Sequence, residues 1–154
     1  MKSTQNKNQK GLDYYHKNKV SVWISLFPYG EIPDEYFEEK FTHKKTRATN
    51  TWSNNFKLSY FNPNYMETNG IYSGTIMIKK AMGACSFSSS YVEALMTTAR
   101  QKKIEEITWI VLLYDQAYDV TKSGVEKDEY MIFLGVFDYD ETADNLFEAD
   151  QNKA

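Results

Sequence analysis

Three stretches of the chain show the period-two pattern of apolar positions that is typical of β-strands. Val20–Phe27 alternates aliphatic residues with serines and aromatics, which predicts the first strand. In Glu106–Tyr114 and Tyr130–Tyr139 both alternating faces are mostly apolar, which predicts strands that are covered on both sides. Gly135 interrupts one of these faces and predicts a bulge or a close neighbouring backbone. Because the single polar connection Asp115–Glu129 joins the last two strands, we expect them to be adjacent and antiparallel at the centre of one sheet.

Two segments have the spacing of amphipathic helices. The clearer one runs from Ser90 to Lys103, where Ser90 and Glu93 have the spacing of a capping box and apolar residues recur at every third or fourth position. A shorter helix is predicted for Pro33–Phe41, which opens with a proline and two acidic residues and carries two phenylalanines four residues apart.

The remaining segments are interpreted from their composition and turn signals. Thr42–Asn55 is polar and basic and is expected to be a loop. Phe56–Phe61 alternates and predicts an edge strand, while Gly74–Lys80 is ambiguous between a strand and the beginning of a helix, with the strand favoured. Since strands and helices are interspersed without a regular β-α-β order, we expect an α+β fold. It would be a single domain with a mainly antiparallel sheet and two or three helices packed on it.

Charge divides the chain into three parts. Residues 1–19 carry five lysines against one aspartate and no apolar core of a signal peptide, which predicts a disordered N-terminal segment. Residues 20–140 then form the single α+β domain, and residues 141–154 are expected to be an acidic C-terminal tail.

Composition excludes several classes of protein. The longest apolar run falls far short of the ~20 residues that cross a bilayer, so no membrane partner is expected. A net charge of −3 argues against a dedicated nucleic-acid binder. Aromatic residues make up 16% of the 154 positions, and Trp23, mid-strand between two serines, is predicted to lie in the core.

Catalytic motifs are missing from the sequence. It has neither the glycine-rich phosphate-binding patterns nor a nucleophile elbow. Ser86–Ser90 is better interpreted as a helix N-terminus rich in capping residues than as a nucleophile cluster. Cys85 and His43 are the raw material for a thiolate–imidazole pair, but a buried structural cysteine is the commoner case. We therefore expect no catalytic residue, no enzyme activity and no cofactor.

Charged clusters offer two further candidate sites. Asp138 and Asp140, with other carboxylates near the strand ends, are of the type that binds a hard cation, but solvated acidic strand ends are ordinary and no metal is expected. The basic run His43–Arg47, followed by Trp52 and Phe56, is a candidate for phosphate contact and stacking. A solvated loop is the simpler interpretation of that run.

Five sequence segments follow one another in an order that resembles the immunity protein 22 family of bacterial polymorphic toxin systems. They are VSVWISLF from Val20, the acidic and aromatic helix around Asp34–Phe37, the helix Ser90–Lys103, ITWIVLLYDQAYD from Ile107, and FLGVFDYD from Phe133. The resemblance extends from about Val20 to Asp140, and the positions that match best are Trp23, Leu113, Tyr114, Tyr118, Phe133, Leu134, Gly135 and Phe137. It implies a small cytoplasmic α+β protein, encoded beside a toxin, that neutralises the toxin by direct binding and has no catalytic residues.

The resemblance and the charge together predict an immunity protein. An acidic protein suits a toxin with a basic cleft, such as a nuclease, because carboxylates steer to such a cleft and block it. The alternatives are a small structural, regulatory or ligand-binding α+β module and, less favoured, a carboxylate-dependent enzyme. The predicted toxin-binding residues cluster on one connection, where binding residues concentrate. They are Tyr114, Asp115, Tyr118, Asp119, Glu126, Asp128 and Glu129.

Overall fold

The computed structural model describes residues 11–153, and the disorder predicted for residues 1–10 lies outside them. Four strands form one antiparallel sheet: β1 (Tyr15–Ser25), β4 (Met66–Gly70), β7 (Trp109–Gln116) and β8 (Ile132–Asp138), in the order β4-β7-β1-β8. Two short ribbons pair β2 (Lys40–Phe41) with β3 (Ala48–Thr49), and β5 (Ile76–Met77) with β6 (Glu106–Ile107). The predicted α+β class with a mainly antiparallel sheet is confirmed.

Six α-helices accompany these strands within residues 11–153. They are α1 (Asp34–Phe37), α2 (Thr51–Asn55), α3 (Ile78–Gly83), α4 (Val92–Gln101), α5 (Val120–Ser123) and α6 (Leu146–Lys153). Three 3₁₀ turns lie at Tyr29–Glu31, Pro63–Tyr65 and Ser88–Ser90. No helix in the described part of the chain has both the length and the apolar character needed to cross a bilayer.

The predicted pairing of the last two long strands is wrong. Both β7 and β8 pair with β1: Val20 lies between Tyr114 on one side and Phe137 on the other. Two-sided apolarity shows that a strand is covered on both faces, but it does not identify the neighbours. Because β7 and β8 are both antiparallel to β1, they run parallel to each other, and the connection between them must travel the length of the sheet.

The bulge predicted at Gly135 is confirmed. In the β1–β8 pairing Val22 lies opposite Gly135 while Trp23 lies opposite Phe133, so Leu134 is the extra residue. The bulge changes which side chains share a face. Leu134 and Phe137 join the core on one side of the sheet, and Phe133 joins the core on the other.

Two cores of different composition cover the faces of the sheet. The first packs aliphatic residues of β1 and β7 against α3 and α4, with Leu95 and Met82 fully buried. The second is largely aromatic and surrounds Trp23, whose ring meets Trp52 edge-on with ring centroids 5.0 Å apart. Trp23 has no exposed surface, so its predicted place in the core is confirmed.

The aromatic core uses a segment that was predicted to be a loop. Asn50 accepts a hydrogen bond from the Ser53 backbone N–H and donates its own N–H to Ser53 Oγ, which begins α2 inside Thr42–Asn55. This helix buries Trp52, so the phosphate-stacking interpretation of that residue is wrong. The edge strand predicted for Phe56–Phe61 is also wrong, since that segment makes only isolated bridges. The edges of the four-stranded sheet are β4 and β8, so the central position predicted for β8 is wrong as well.

Other element boundaries differ from the sequence expectations. β1 begins at Tyr15, within the segment that was predicted to be disordered, and residues 146–153 of the predicted tail form α6. α4 has no side-chain cap, because Ser90 Oγ donates to the Phe87 carbonyl instead of capping the helix. The predicted capping box is therefore wrong. The ambiguous Gly74–Lys80 contains both β5 and the beginning of α3.

Candidate functional site

A groove lies at the end of the sheet where β7 finishes. It consists of two adjoining cavities of about 220 and 250 Å³ that share Tyr65, Tyr114 and Asp115. We call it the Asp115 groove and define it by four tyrosines and two carboxylates, namely Tyr15, Tyr65, Tyr114, Tyr139, Asp115 and Glu141. None of the described residues that line it is a lysine, an arginine or a histidine. It therefore presents aromatic rings and negative charge.

Asp115 occupies an unusual backbone position in this groove. Its φ is +62°, in the left-handed region, and Asn18 in the neighbouring strand has φ +67°. Aspartate and asparagine are the non-glycine residues that best tolerate this region, so the sequence suits the conformation. The two residues face each other where the β1–β7 register shifts between Tyr15 and Val20. Left-handed non-glycine residues concentrate at functional sites, which draws attention to Asp115.

Among residues 11–153, partners of the Asp115 carboxylate are found at one oxygen. Oδ1 accepts hydrogen bonds from the Asn18 backbone N–H at 2.9 Å and from the Tyr139 hydroxyl at 2.7 Å. Burial, and then the bond to Asp115, raise the pKa of Tyr139, so its hydroxyl stays protonated and donates. Within residues 11–153, Oδ2 accepts no hydrogen bond and Asp115 forms no salt bridge.

Tyr114 forms the inner wall of the groove, and its hydroxyl is fixed by polar groups inside the protein. Its hydroxyl lies 3.0 Å from Glu67 Oε1, 2.9 Å from the Ser86 carbonyl oxygen and 3.1 Å from the Tyr91 hydroxyl. Burial raises the pKa of both tyrosines, so they remain neutral. Only 6% of Tyr114 is exposed. It acts as a fixed wall rather than as a mobile anchor.

The structure divides the seven predicted site residues. Tyr114 and Asp115 line the groove together. Tyr118 is buried in the aromatic core, and its hydroxyl lies within hydrogen-bond distance of Ser123 Oγ and donates to the Val125 carbonyl. Asp119 is exposed and caps α5 by accepting the Thr121 backbone N–H at 2.9 Å. These last two residues have local structural roles.

The other three predicted residues lie at the opposite end of the sheet, because the connection runs the length of the parallel pair β7 and β8. Asp128 and Glu129 line a cavity with Leu26 and Tyr130 there. The Asp128 carboxylate accepts hydrogen bonds from the Tyr36 hydroxyl, Asn55 Nδ2 and the backbone N–H groups of Tyr130 and Met131. Glu126 pairs with Lys102 at 3.2 Å. The seven residues therefore do not form one surface.

Several groove residues were missed by sequence reasoning. These residues come from three separate segments that meet only because β1 lies between β7 and β8: Tyr15 from the first, Tyr65 from the second, and both Tyr139 and Glu141 from the third. The sequence does place a tyrosine at one end of each of these strands, or just beyond it. This pattern indicates a shared site only when the strand order is known, because the order decides which strand ends lie side by side.

The candidate nucleophile Cys85 is not activated. It is buried, and burial followed by the charge of Glu67 raises the pKa of its thiol from the usual 9.0 to about 12. A nucleophilic cysteine needs a lowered pKa, because the thiolate is the reactive form. Among the described residues, no three histidine, cysteine, aspartate or glutamate side chains are grouped so as to hold a metal ion.

Comparison with protein families gives a match over most of the sheet. The model of a family described as Immunity protein 22 matches residues 20–140. The chain belongs to the Immunity protein 22 family. Comparisons with curated proteins and with solved structures gave no match.

The match to Immunity protein 22 includes most of the Asp115 groove. Tyr65, Tyr114, Asp115 and Tyr139 lie inside residues 20–140, whereas Tyr15 and Glu141 lie outside. The resemblance found in the sequence is confirmed over the same range. This member of the Immunity protein 22 family therefore carries the core of the groove within the part of the chain that the family shares.

Proposed function

We propose that this protein neutralises a cognate bacterial toxin by direct, stoichiometric binding, and that it does so in the cytoplasm of the cell that encodes both. The observation that carries the proposal is the match of residues 20–140 to the Immunity protein 22 family. Binding a toxin partner is the role that the family name implies. The Asp115 groove has tyrosines and two carboxylates at one surface and no basic side chain among the described residues that line it, and it is the part of the molecule that best suits this role.

The chemistry of the groove supports a basic partner. Tyrosine is enriched at the energetic centres of protein interfaces because it buries a large area at a small cost in conformational entropy. A carboxylate-lined surface attracts a basic surface over a distance and raises the association rate. A nuclease toxin fits this description, since its cleft must be basic to hold phosphates. We therefore propose a nuclease as the toxin and occlusion of its cleft as the mechanism.

The groove is built on ordered strands, and this rigidity also favours occlusion of the toxin cleft. The groove residues come from strands β1 and β7 and from segments that hydrogen-bond to them, rather than from one long loop. A surface that is already ordered loses little conformational entropy on binding, which favours tight association.

The test uses the C-terminal domain of the toxin encoded beside this gene. The two purified proteins are mixed, and complex mass, calorimetric stoichiometry and residual toxin activity are measured. We expect an equimolar complex and a linear loss of activity that ends at the equivalence point. Polyglutamate of matched total charge is the control, because a non-specific polyanion inhibits without an equimolar end point. Absence of a complex with the wild-type protein would contradict the proposed function.

A further inference from the structure

We infer that the Asp115 groove binds one arginine side chain of the toxin, with the guanidinium on the Asp115 carboxylate and the tyrosine rings beside it. The inference rests on the proposed function and names the group that the groove recognises. Three features of the groove carry it: a carboxylate oxygen to which no described residue donates, the fixed orientation of that carboxylate, and the exposed tyrosine rings.

The first feature is negative charge without an internal counterion. Asp115 Oδ2 has no hydrogen-bond donor among the described residues, and the described lining holds a second carboxylate, Glu141, and no basic side chain. The neighbouring Lys19 is already paired with Asp138. A cation that enters the groove therefore meets negative charge that the described residues leave unbalanced, which favours a positively charged group over a neutral or anionic one.

The second feature is the fixed carboxylate. The Asn18 N–H and the Tyr139 hydroxyl both hold Oδ1, and Asn18 belongs to the central strand β1. The side chain is thus oriented before any partner arrives, so little entropy is lost when a donor reaches it. A guanidinium is a planar set of donors that matches a fixed carboxylate better than the flexible ammonium of lysine does.

The third feature is the ring surface. Tyr65 is 47% exposed and Tyr15 is 63% exposed at the mouth of the groove. Guanidinium groups stack on tyrosine rings, and this chain already shows that contact elsewhere: the Arg47 guanidinium carbon lies 4.3 Å from the centroid of the Tyr60 ring. Aromatic rings and a carboxylate within one groove are the combination that binds arginine more tightly than either group alone.

The experiment compares two isosteric substitutions that remove the same charge. Asp115→Asn deletes the charge in the groove but keeps an oxygen for Asn18 and Tyr139, and asparagine tolerates the left-handed backbone. Asp34→Asn removes one exposed charge from α1, outside the groove. Affinity for the toxin domain is measured by calorimetry for both variants. We expect Asp115→Asn to bind about 10- to 100-fold more weakly than wild type, since a charged hydrogen bond is lost, and Asp34→Asn to stay within about twofold.

A matched pair of ring substitutions tests the tyrosine surface. Tyr65→Leu and Tyr72→Leu each replace an exposed tyrosine by an apolar residue, and Tyr72 is not part of the groove. We expect a loss of affinity of about fivefold for Tyr65→Leu and little change for Tyr72→Leu. Equal effects of the two substitutions would contradict the proposed role of the ring.

A double-mutant cycle identifies the partner group. Each arginine and lysine on the toxin surface is changed to alanine and is tested against wild type and Asp115→Asn. The inference requires one toxin arginine whose change to alanine weakens binding to wild type but does not weaken binding to Asp115→Asn. If wild type binds the toxin and Asp115→Asn matches Asp34→Asn, the arginine site is wrong while the proposed function stands. If light scattering shows a dimer of wild type that Asp115→Asn dissociates, a second copy of this chain occupies the groove and the inference is also wrong.

Discussion

Two aspartates, Asp115 near the end of β7 and Asp128 on the connection that follows it, have opposite roles in the fold. Asp128 accepts four hydrogen bonds, from two side chains and two backbone N–H groups. Asp115 accepts two, both on Oδ1, and among the described residues nothing donates to its Oδ2. The sequence places both in an acidic stretch between two strands and does not distinguish them.

The difference shows how a carboxylate becomes available to a partner. Asp128 joins α1, through Tyr36, and α2, through Asn55, to the beginning of β8, so its charge is used inside the molecule. Asp115 sits at the end of the sheet, where two donors hold its Oδ1 and the residue lines a groove. Substitution of Asp128 should therefore damage the fold, and substitution of Asp115 should damage binding.

The largest expected effect is on stability at the Asp128 end. Asp128→Ala should lower the free energy of unfolding by about 2–4 kcal/mol, because several partly buried donors lose their acceptor. Asp128→Asn is the control, since its amide oxygen still accepts and its loss should be smaller. Urea unfolding measures both variants. A loss below about 0.5 kcal/mol for the alanine variant would remove the structural role assigned to Asp128.

Each aspartate also holds a tyrosine hydroxyl, and alkaline pH tests both pairs. Burial first, and then the bond to Asp128, raise the pKa of Tyr36 above its usual 10.0. A raised pKa adds stability that is present below about pH 10 and is lost as the pH rises toward the folded-state pKa. When the pH rises from about 8 to about 10.5, the free energy of unfolding should therefore fall in wild type. In Tyr36→Phe, which has no hydroxyl to ionise, the fall should be smaller by up to about 0.8 kcal/mol. Tyr139→Phe should show the same sign, because burial and the bond to Asp115 raise the pKa of Tyr139 as well. An opposite sign at Tyr36 would contradict this account of the pair.

Charge reversal at each end of the sheet tests which end affects the rate of association with the toxin. Glu141→Lys places a positive charge at the groove, and Glu129→Lys does the same at the Asp128 end. The first should slow association with a basic toxin by about threefold at low ionic strength and flatten its salt dependence, whereas the second should change the rate less. Stopped-flow mixing at two salt concentrations measures both rates. A larger effect from Glu129→Lys would move the contact surface to the other end.

The smallest expected effect is on stability at the Asp115 end. Asp115→Asn should change the free energy of unfolding by less than about 0.5 kcal/mol, because asparagine retains both the backbone conformation and an acceptor. Asp115→Val provides the contrast, since a β-branched residue is strained at positive φ and cannot accept the two hydrogen bonds. Equal losses for the two variants would show that the charge of Asp115, rather than its shape, stabilises the fold.

Sequence reasoning predicted the elements better than their arrangement. Alternation located β1, β7 and β8, and the three-to-four spacing located α4, because each pattern lies within one short segment. Strand order depends on contacts far apart in the chain, and the period of a strand carries no information about its neighbours. The pairing of β7 with β8 was therefore wrong, and with it the expectation that Tyr114 and Glu129 lie on one surface.

The buried helix α2 was missed for a related reason. Thr42–Asn55 is polar on average, yet Ala48 and Trp52 insert into the aromatic core, and an average over the segment conceals these buried residues. The sequence predicted some of the residues that line the groove and missed the others. Tyr114 and Asp115 were selected from their charge and position, whereas Tyr65 and Tyr139 join them only through the fold.

Hydrogen–deuterium exchange of the complex tests most directly whether the toxin binds the groove end. Deuterium uptake is measured for this protein alone and with an excess of the toxin domain. Slower exchange is expected at residues 62–65, 114–116 and 139–141, which line the groove, with no change at residues 127–130 at the other end. Protection at residues 127–130 without protection at residues 62–65 and 139–141 would contradict the assignment of the groove as the toxin-binding surface.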